Sequence, residues 1–479
     1  MLKRLRFILT VIALLAAVGI SAQVTTATMS GKVTAQDEPI IGATIVAIHE
    51  PSGTRYGTVT NVSGQFTLQG MRTGGPYKVE ISYVGYQTAI YKGINLLLGE
   101  NYVLNVSLKE SSELLDEVVV TASKDSNMKS DRAGAVTNLT SAKIASIPTV
   151  SRSMNDIMRL SPQSNTTSNG FAAGGGNYRQ SFVTVDGASF NNAFGIGSNL
   201  PAGGAPISLD ALEQLSVSIT PYDVRQSGFT GAAINAVTKS GTNELTGSAY
   251  TFLTNNNLIG DRVGDNSIEL EKSHQYTYGA TLGGAIIKNK LFFFVNGEYE
   301  NDLTAGPIAR ARNDESEKYG VNGIHRPVAS KMDEIRDYLI NKYDYDPGAY
   351  QGYNVTVPSY KFLARLDWNI NENNKVNVRF SKTNNKYNAS PSTSVNPMTA
   401  STIFPGNNGT ISSGKGASND EGLYFRNTRY FQEQRFTSVA TEWNAKWGLV
   451  NNTLRGTYSY QDEPCLLYTS PSPRDRQKS

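Results

Sequence analysis

The chain has 479 residues, of which 44 are lysine or arginine and 41 are aspartate or glutamate, giving a formal charge of +3. This near balance gives no support for nucleic acid as a partner. Hydrophobic residues make up 39% of the chain, which is low for a large helical core but normal for strands with one apolar face. The single cysteine, Cys465, excludes an intrachain disulfide framework and a cysteine-rich metal site.

Residues 1–22 are typical of a signal peptide. Lys3, Arg4 and Arg6 form a positively charged start, and the apolar run at 7–20 is too short to span a bilayer comfortably. The alternative is an uncleaved signal anchor, but polar sequence follows Ala22 at once, which favours cleavage. No later apolar run is long enough for a transmembrane helix, so a membrane location would require a β-barrel.

Residues 23–110 are predicted to form a small all-β domain. Short β-branched or alternating runs recur through the segment, and turns such as 61–64 separate them, with Gly64 suited to a positive φ. Short strands with frequent turns favour a β-sandwich. The strands are expected near 31–33, 40–47, 58–60, 65–68, 77–83 and 103–108.

Four motifs in this segment resemble the carboxypeptidase regulatory-like domain. The resemblance implies an Ig-like, non-catalytic module of the kind appended to outer-membrane receptors of the Bacteroidetes type. The motifs are Gly-Lys-Val at 31–33, Pro-Ile-Ile-Gly-Ala at 39–43, Thr-Asn-Val-Ser-Gly-Gln-Phe at 60–66 and Tyr-Val-Gly-Tyr at 83–86.

Residues 111–132 form a polar, turn-rich linker that contains one strongly β-prone segment. A strand of this kind can add to an exposed sheet edge through its main-chain hydrogen bonds. One interpretation is that it forms the last strand of the sandwich. The favoured interpretation is a TonB box, which an inner-membrane energy transducer grips. The segment comprises Asp116, Glu117, Val118, Val119, Val120, Thr121 and Ala122.

Residues 133–243 mix helical and strand patterns. A short helix is expected at 153–160, ended by Pro162, and a strand at 181–185 ends in an Asp-Gly turn. An ordinary α+β domain is one interpretation. The favoured one is the plug of TonB-dependent receptors, because two landmarks resemble that plug and the stretch 219–249 is most similar to the Oar-like branch. The landmark residues are Val185, Asp186, Gly187, Ile234, Asn235, Val237, Thr238 and Lys239.

From residue 244 onward the pattern indicates barrel strands. In the clearest hairpin, 360–383, apolar and polar residues alternate on both strands, with Leu363 as the exception. Long connections alternate with short turns, which is typical of bacterial outer-membrane barrels. The longest connection, near 301–358, is expected to be structureless. The strands are expected near 245–254, 273–286, 291–300, 359–370, 375–384, 434–446 and 452–461.

These strands are too few for a closed barrel, because the resemblance implies about 22 strands. The predicted fold class is therefore mainly β: an Ig-like β-sandwich, an α+β plug, and a partial transmembrane antiparallel β-barrel over 244–463. Residues 464–479 contain Cys465 and no strand pattern. They are interpreted as a non-native tail, with a genuine disordered tail as the alternative.

The sequence gives no indication of an enzyme. The three histidines, His49, His274 and His325, lie in separate regions, and neither a His-Glu-x-x-His motif nor a Gly-x-Ser-x-Gly elbow occurs. No catalytic residue, cofactor or metal site is therefore expected, and the ligand-binding residues are unknown.

The resemblance implies a multi-pass barrel in the outer membrane of a Gram-negative cell, with the N-terminal domains in the periplasm. The leading interpretation is import driven by the inner-membrane proton-motive force. The partners it implies are a TonB-type energy transducer, outer-membrane lipid and an extracellular glycan, peptide or chelate, with a SusD-type surface lipoprotein as an optional addition. The alternatives are an outer-membrane adhesion or structural barrel, and a secreted carbohydrate-binding β protein.

Overall fold

The computed structural model describes residues 24–110, 118–121, 136–149, 152–162, 164–167, 170–192, 199–200, 206–219, 229–258, 260, 262–264, 266–267, 272–305, 309–320, 323–389, 423–428, 430–448 and 450–467. The predicted signal peptide, the residues Asp116, Glu117 and Ala122, and the tail beyond 467 lie outside these ranges.

Residues 24–110 form two β-sheets around one hydrophobic core. One sheet has the order β2-β1-β5, with β8 and β9 added in parallel to β1, and the other runs β7-β6-β3-β4. Ile45, Met71 and Tyr77 are fully buried in the shared core. The sequence missed β7, where Lys92 and Gly93 interrupt the alternation. The strands are β1 (Ala27–Ala35), β2 (Glu38–Pro39), β3 (Thr44–His49), β4 (Thr54–Val59), β5 (Gln65–Met71), β6 (Gly74–Ser82), β7 (Ala89–Leu96), β8 (Asn101–Val103) and β9 (Val106–Ser107).

The described part of the β-prone linker segment lies on this sandwich. Strand β10 (Val118–Thr121) pairs in parallel with β7, from Val118 opposite Ala89 to Thr121 opposite Lys92. This is the position that the last-strand interpretation predicts. The TonB-box interpretation stays a prediction, because pairing with β7 does not test binding of the segment to a transducer.

The next segment has a five-stranded sheet of order β11-β16-β17-β14-β15. The predicted helix is present and begins at Ser153, whose side chain accepts a hydrogen bond from the Asp156 amide. The predicted strand and Asp-Gly turn are also present, as β14 and β15. The elements are β11 (Val136–Thr140), α1 (Ser141–Ser146), α2 (Met154–Met158), β12 (Ser164–Thr167), β13 (Gly170–Ala173), β14 (Phe182–Val185), β15 (Ala188–Ser189), β16 (Leu212–Ser218) and β17 (Ala233–Thr238).

The remaining long strands form one antiparallel sheet of order β18-β21-β22-β25-β26-β27-β28. They lie where the alternation predicted them, and most extend a few residues further. The strands from here on are β18 (Thr246–Asn255), β19 (Arg262–Val263), β20 (Asn266–Ser267), β21 (His274–Ile287), β22 (Leu291–Ala305), β23 (Arg310–Arg312), β24 (Ile324–Val328), β25 (Asn354–Asn371), β26 (Asn374–Ala389), β27 (Tyr430–Trp447), β28 (Val450–Asp462) and β29 (Cys465–Leu467).

The end of the chain differs from the expectation that no strand follows residue 463. Cys465, Leu466 and Leu467 pair with Gln432, Phe431 and Tyr430 of β27. The sequence did not indicate this last strand, because Pro464 interrupts the strand pattern just beyond β28. The Glu433 amide donates to the Pro464 carbonyl at 3.0 Å, so the proline sits in the ladder as an acceptor.

The alternation correctly predicted the two faces of the barrel sheet. Phe362, Leu366 and Trp368 are exposed on the outer face, whereas Leu363 points inward and is 2% exposed. Leu363 breaks the alternation because it packs in the core of the plug segment, together with Phe294 and Phe436 of the same wall. An inward apolar residue therefore marks a place where the plug, rather than water, lies behind the strand.

Three outward tyrosines lie side by side across the sheet. Tyr278 is opposite Tyr299, and Tyr299 is opposite Tyr360. All three are exposed. A row of aromatic residues at one level of the outer face is typical of the interfacial girdles of membrane barrels.

The connection between β22 and β25 is not structureless, which corrects the prediction. It contains β23, β24 and α3 (Ala329–Tyr343), and a small core joins Ala311, Met332 and Tyr350 to Phe425 of the next long connection. Only Met332 is buried on α3. The sequence prediction overlooked this helix, although Met332, Ile335 and Leu339 have the i, i+3, i+7 spacing of one helix face. Within the described ranges, no helix is both long and apolar enough to cross a bilayer.

Candidate functional site

The two sequence landmarks of the plug segment meet at one point. Asp186 follows β14 and Thr238 ends β17, and the parallel pairing of these strands brings both residues to the same sheet edge. The Asp186 carboxylate accepts hydrogen bonds from the Thr238 amide at 3.0 Å and from the Thr238 hydroxyl at 2.7 Å. Both side chains are buried. The turn is thereby fixed, with its carboxylate held at this end of the plug sheet.

Two barrel arginines face this carboxylate. Arg365 on β25 and Arg379 on β26 are directly opposite each other in the strand register. Arg379 donates to the Asp186 carbonyl at 2.9 Å, and its Nε lies 3.5 Å from the carboxylate. Arg365 donates to the Thr238 carbonyl at 2.6 Å and lies 3.9 Å from the same carboxylate. Like charges opposite each other destabilise a strand pair, and Asp186 supplies a carboxylate that faces both of these arginines.

The sandwich contributes a third arginine to the same network. Asp367 accepts two hydrogen bonds from Arg365, at 2.8 and 2.9 Å, and Arg72 of the sandwich lies 3.4 Å from Asp367. Arg72 also donates to the Ser240 hydroxyl, just beyond β17, and its guanidinium lies over the Phe292 ring. Arg72 therefore contacts the barrel wall and the plug at once.

Further hydrogen bonds hold the sandwich in place. The Gln214 side chain of β16 accepts from the Leu98 amide at 2.8 Å and donates to the Leu96 carbonyl at 3.0 Å. The Asn243 amide donates to the Pro51 carbonyl at 2.8 Å. A cavity of about 190 Å³, lined by charged residues of the sandwich, plug and barrel, lies between them. We call this region, centred on Asp186, Arg365, Arg379, Asp367 and Arg72, the three-part junction.

A second contact holds the plug to the wall nearby. The buried Glu298 carboxylate of β22 accepts hydrogen bonds from Lys361, Ser208 and Tyr250, each at 2.8 Å. Ser208 belongs to the plug, whereas the other residues are on barrel strands. As at the three-part junction, a buried charge is balanced within the wall and also bonded to the plug.

Sequence reasoning found only part of this site. Asp186 and Thr238 were predicted as landmarks, but not as partners of each other. Arg365, Asp367 and Arg379 were recognised as the polar face of a hairpin and were not assigned a role. The only indication of a role in the sequence was that these charged residues occupy alternate positions on the inward face of the strands. Nothing in the sequence indicated that Arg72 belongs to this site, because an isolated arginine in a sandwich loop is normally solvated.

Comparison with known proteins agrees with this architecture. Residues 28–109 match the carboxypeptidase regulatory-like domain, and residues 237–471 match an outer membrane beta barrel domain. Over 259 residues, 52% of the chain, the sequence is 25% identical to the TonB-dependent transporter Oar of Myxococcus xanthus. The chain therefore joins a carboxypeptidase regulatory-like domain to an outer membrane beta barrel domain and is homologous to a TonB-dependent transporter. It spans 22% of the length of that transporter.

Two solved structures are similar to this chain over part of their length. The siderophore receptor PirA of Acinetobacter baumannii is 17% identical, with a TM-score of 0.43, over 69% of this chain and 40% of that one. The outer membrane transporter YddB of Escherichia coli is 11% identical, with a TM-score of 0.45, over 68% of this chain and 38% of that one. The match to the outer membrane beta barrel domain confirms the predicted fold class and outer-membrane location, and the similar curated protein is a transporter rather than an enzyme.

Replacing Arg72 by methionine is expected to loosen the sandwich from the receptor without unfolding it. Methionine keeps the apolar contact with Phe292 but removes the charge that faces Asp367. Hydrogen bonds to charged groups contribute roughly 1–3 kcal/mol, so the Asn243 amide should exchange with deuterium about tenfold faster or more. Arg55→Met, on the exposed face of β4, is the matched control. Equal exchange in the two variants would show that Arg72 does not contribute to docking.

The stability of the sandwich is expected to decrease at mildly acidic pH because of His49. Burial, reinforced by the nearby Arg72, lowers the pKa of His49 from 6.5 to about 3. Between these values the unfolded chain binds a proton that the folded chain excludes, so stability is lost as pH falls below 6.5, by up to about 1.4 kcal/mol per unit. Hydrogen exchange of β3 and β6, corrected for the intrinsic pH dependence, measures this loss. His49→Gln should flatten the profile; an unchanged profile would exclude His49 as the cause.

Proposed function

We propose that this receptor imports an extracellular ligand into the periplasm, and that a TonB-type transducer drives the import by pulling on the segment 116–122. The observation that supports this most directly is the way the plug is held. Its Asp186 carboxylate faces two opposed wall arginines through a few localised contacts. Such a contact defines one docked position and can be broken and formed again as a unit.

The topology of the plug sheet also suits a pull from the N-terminal side. Strand β11 is the first plug strand after the linker and lies at the edge of the sheet, where only β16 pairs with it among the described strands. A force arriving at Val136 acts on the end of a five-pair ladder, from Val136 opposite Ser218 to Thr140 opposite Gln214. Edge strands can be peeled one hydrogen bond at a time, so β11 can leave while the inner strands stay paired.

Peeling β11 would also reach the sandwich contact. The far end of the ladder lies at Gln214, whose side chain holds Leu96 and Leu98 of the sandwich. Displacement of β11 therefore disturbs β16, one of the plug strands that contact the sandwich. Removal of β11 opens a path beside β16, which pairs on its other edge with β17, the strand that carries Thr238.

A disulfide across the β11–β16 ladder tests the proposal. Val136→Cys with Ser218→Cys joins the first pair of the ladder. Under oxidising conditions the pair should abolish receptor-dependent growth, and a reductant should restore it, while each single variant grows normally. Ligand binding at the cell surface should be unchanged throughout. Normal growth of the oxidised double variant, or growth that survives loss of the transducer or of the proton-motive force, would overturn the proposal.

A further inference from the structure

We infer that the cavity of the three-part junction binds a small oxyanion that keeps a hydroxyl group at neutral pH, with inorganic phosphate as its occupant. This goes beyond the proposed function, because an ion can bind here without import and without a transducer. The cavity has a volume of about 190 Å³. A single water needs only roughly 10–15 Å³ by the same measure, so the cavity has room for phosphate together with water.

One barrel strand contributes three side chains to this cavity. Lys375, Asn377 and Arg379 of β26 all line it. They occupy alternate positions of the strand and therefore lie on the same face of the sheet. Asn377 is two positions from each cation, so a short amide side chain lies between two long cationic side chains at the cavity wall.

Both cations have donors available for an anion. Among the residues that the structure describes, Lys375 hydrogen-bonds only to the Glu372 carbonyl, at 2.9 Å, and its ammonium lies over the Tyr56 ring. Arg379 hydrogen-bonds only to the Asp186 carbonyl, and its buried Nε has no hydrogen-bond partner in the same part of the chain. An arginine side chain has five N–H donors, so most donors of Arg379 remain available to a ligand.

The charge balance of the lining favours a monoanion. Two of the lining carboxylates already have cationic partners: Asp367 accepts from Arg365 and faces Arg72, and Glu442 accepts from Arg455 at 2.7 Å. In total, four cationic and three acidic side chains line the cavity. One negative charge offsets this difference, and buried charges are stable only when they are offset in this way.

Asn377 specifies that the anion must also donate a hydrogen bond. The buried Oδ1 of Asn377 has no donor among the described residues, and a buried acceptor without a donor is unfavourable. Sulfate and phosphodiesters carry no proton at neutral pH and cannot donate to it. Inorganic phosphate keeps at least one hydroxyl, which can donate to Asn377 while the other oxygens accept from Arg379 and Lys375.

Calorimetric titration of the complete receptor in nonionic detergent at neutral pH tests this selectivity. We expect one inorganic phosphate to bind per receptor, with sulfate and dimethyl phosphate each about tenfold weaker or more, because neither can donate to Asn377. Equal binding of sulfate would overturn the inference. Tighter binding of dimethyl phosphate would assign the site to a lipid headgroup and would also overturn it, as would the absence of phosphate binding. None of these results bears on the proposed import.

A pair of variants places the site. Asn377→Leu removes the acceptor and should weaken phosphate binding about tenfold or more, while sulfate binding changes by less than about threefold. Asn385→Leu is the matched control, because Asn385 lies on the same face of β26 but does not line the cavity. An equal loss of phosphate binding in both variants would show that the ion binds elsewhere.

Hydrogen exchange of the unmodified receptor provides a test that needs no variant. Thr25 and Thr26 of the sandwich also line the cavity, so undocking of the sandwich removes part of the site. At about ten times its Kd, phosphate should therefore slow exchange of the Asn243 amide, which donates to the Pro51 carbonyl, by about tenfold. The same concentration of sulfate should leave this exchange unchanged. Exchange that does not respond to phosphate would overturn the inference.

Discussion

Replacing Val119 by proline in the complete receptor is expected to abolish receptor-dependent growth while leaving ligand binding at the cell surface intact. Val119 lies within β10, opposite Ile90 of β7. Proline removes a backbone donor and does not fit within a β-ladder, so it disrupts β10 whichever edge carries the partner. Growth on a nutrient that the receptor supplies, compared with surface binding of the same nutrient, measures the two effects separately.

Val119→Ala is the matched control for this effect. It keeps the backbone donor and loses only β-propensity, a cost of at most about 1 kcal/mol, so growth should be reduced little. The interpretation of β10 as the last strand of the sandwich predicts a different result. If β10 is only the last strand of the sandwich, proline should lower the melting temperature of the sandwich and leave growth unchanged. That combination would reject the TonB-box assignment.

Replacing Asp186 by asparagine is expected to destabilise docking of the plug by about 3–5 kcal/mol, as removal of one partner from a buried ion pair does. The change preserves the size of the side chain but removes the carboxylate that both Arg365 and Arg379 face, so that only Asp367, bound to Arg365, offsets the two facing charges. The plug should become sensitive to protease at lower denaturant concentrations, and the barrel should remain resistant to heat. Limited proteolysis across a denaturant series, with plug and barrel fragments followed separately, measures the shift.

Asp210→Asn is the matched control, because it removes a plug carboxylate that pairs with Arg152 and whose side chain is 36% exposed. A partly solvated pair of this kind contributes about 0–1 kcal/mol. Adding Arg379→Met to Asp186→Asn should recover part of the loss, because one of the two facing cations is removed. If Asp186→Asn were as mild as Asp210→Asn, the three-part junction would not be what holds the plug.

Much of the fold could be predicted from the sequence because it depends on local patterns. Period-two alternation gave the strands of the barrel wall and the face on which Phe362 and Trp368 lie. The helix that begins at Ser153 was predicted from its sequence limits. Two elements were missed: β7, where Lys92 and Gly93 interrupt the alternation, and α3, whose apolar spacing was overlooked in a connection expected to be structureless.

The sequence by itself determined which side of each barrel strand faces inward, and hence that Arg365, Asp367 and Arg379 could not face lipid. Only the tertiary structure decided what those charges meet. Arg379 and Asp186 are 193 positions apart in the chain, and Arg72 reaches Asp367 from a separate domain. The partner of β10 was equally undetermined, because backbone hydrogen bonds are the same for every edge strand. The alternation of apolar and polar residues determines which face of the sheet each side chain lies on. The partner of a charged side chain is determined only when separate elements pack against each other.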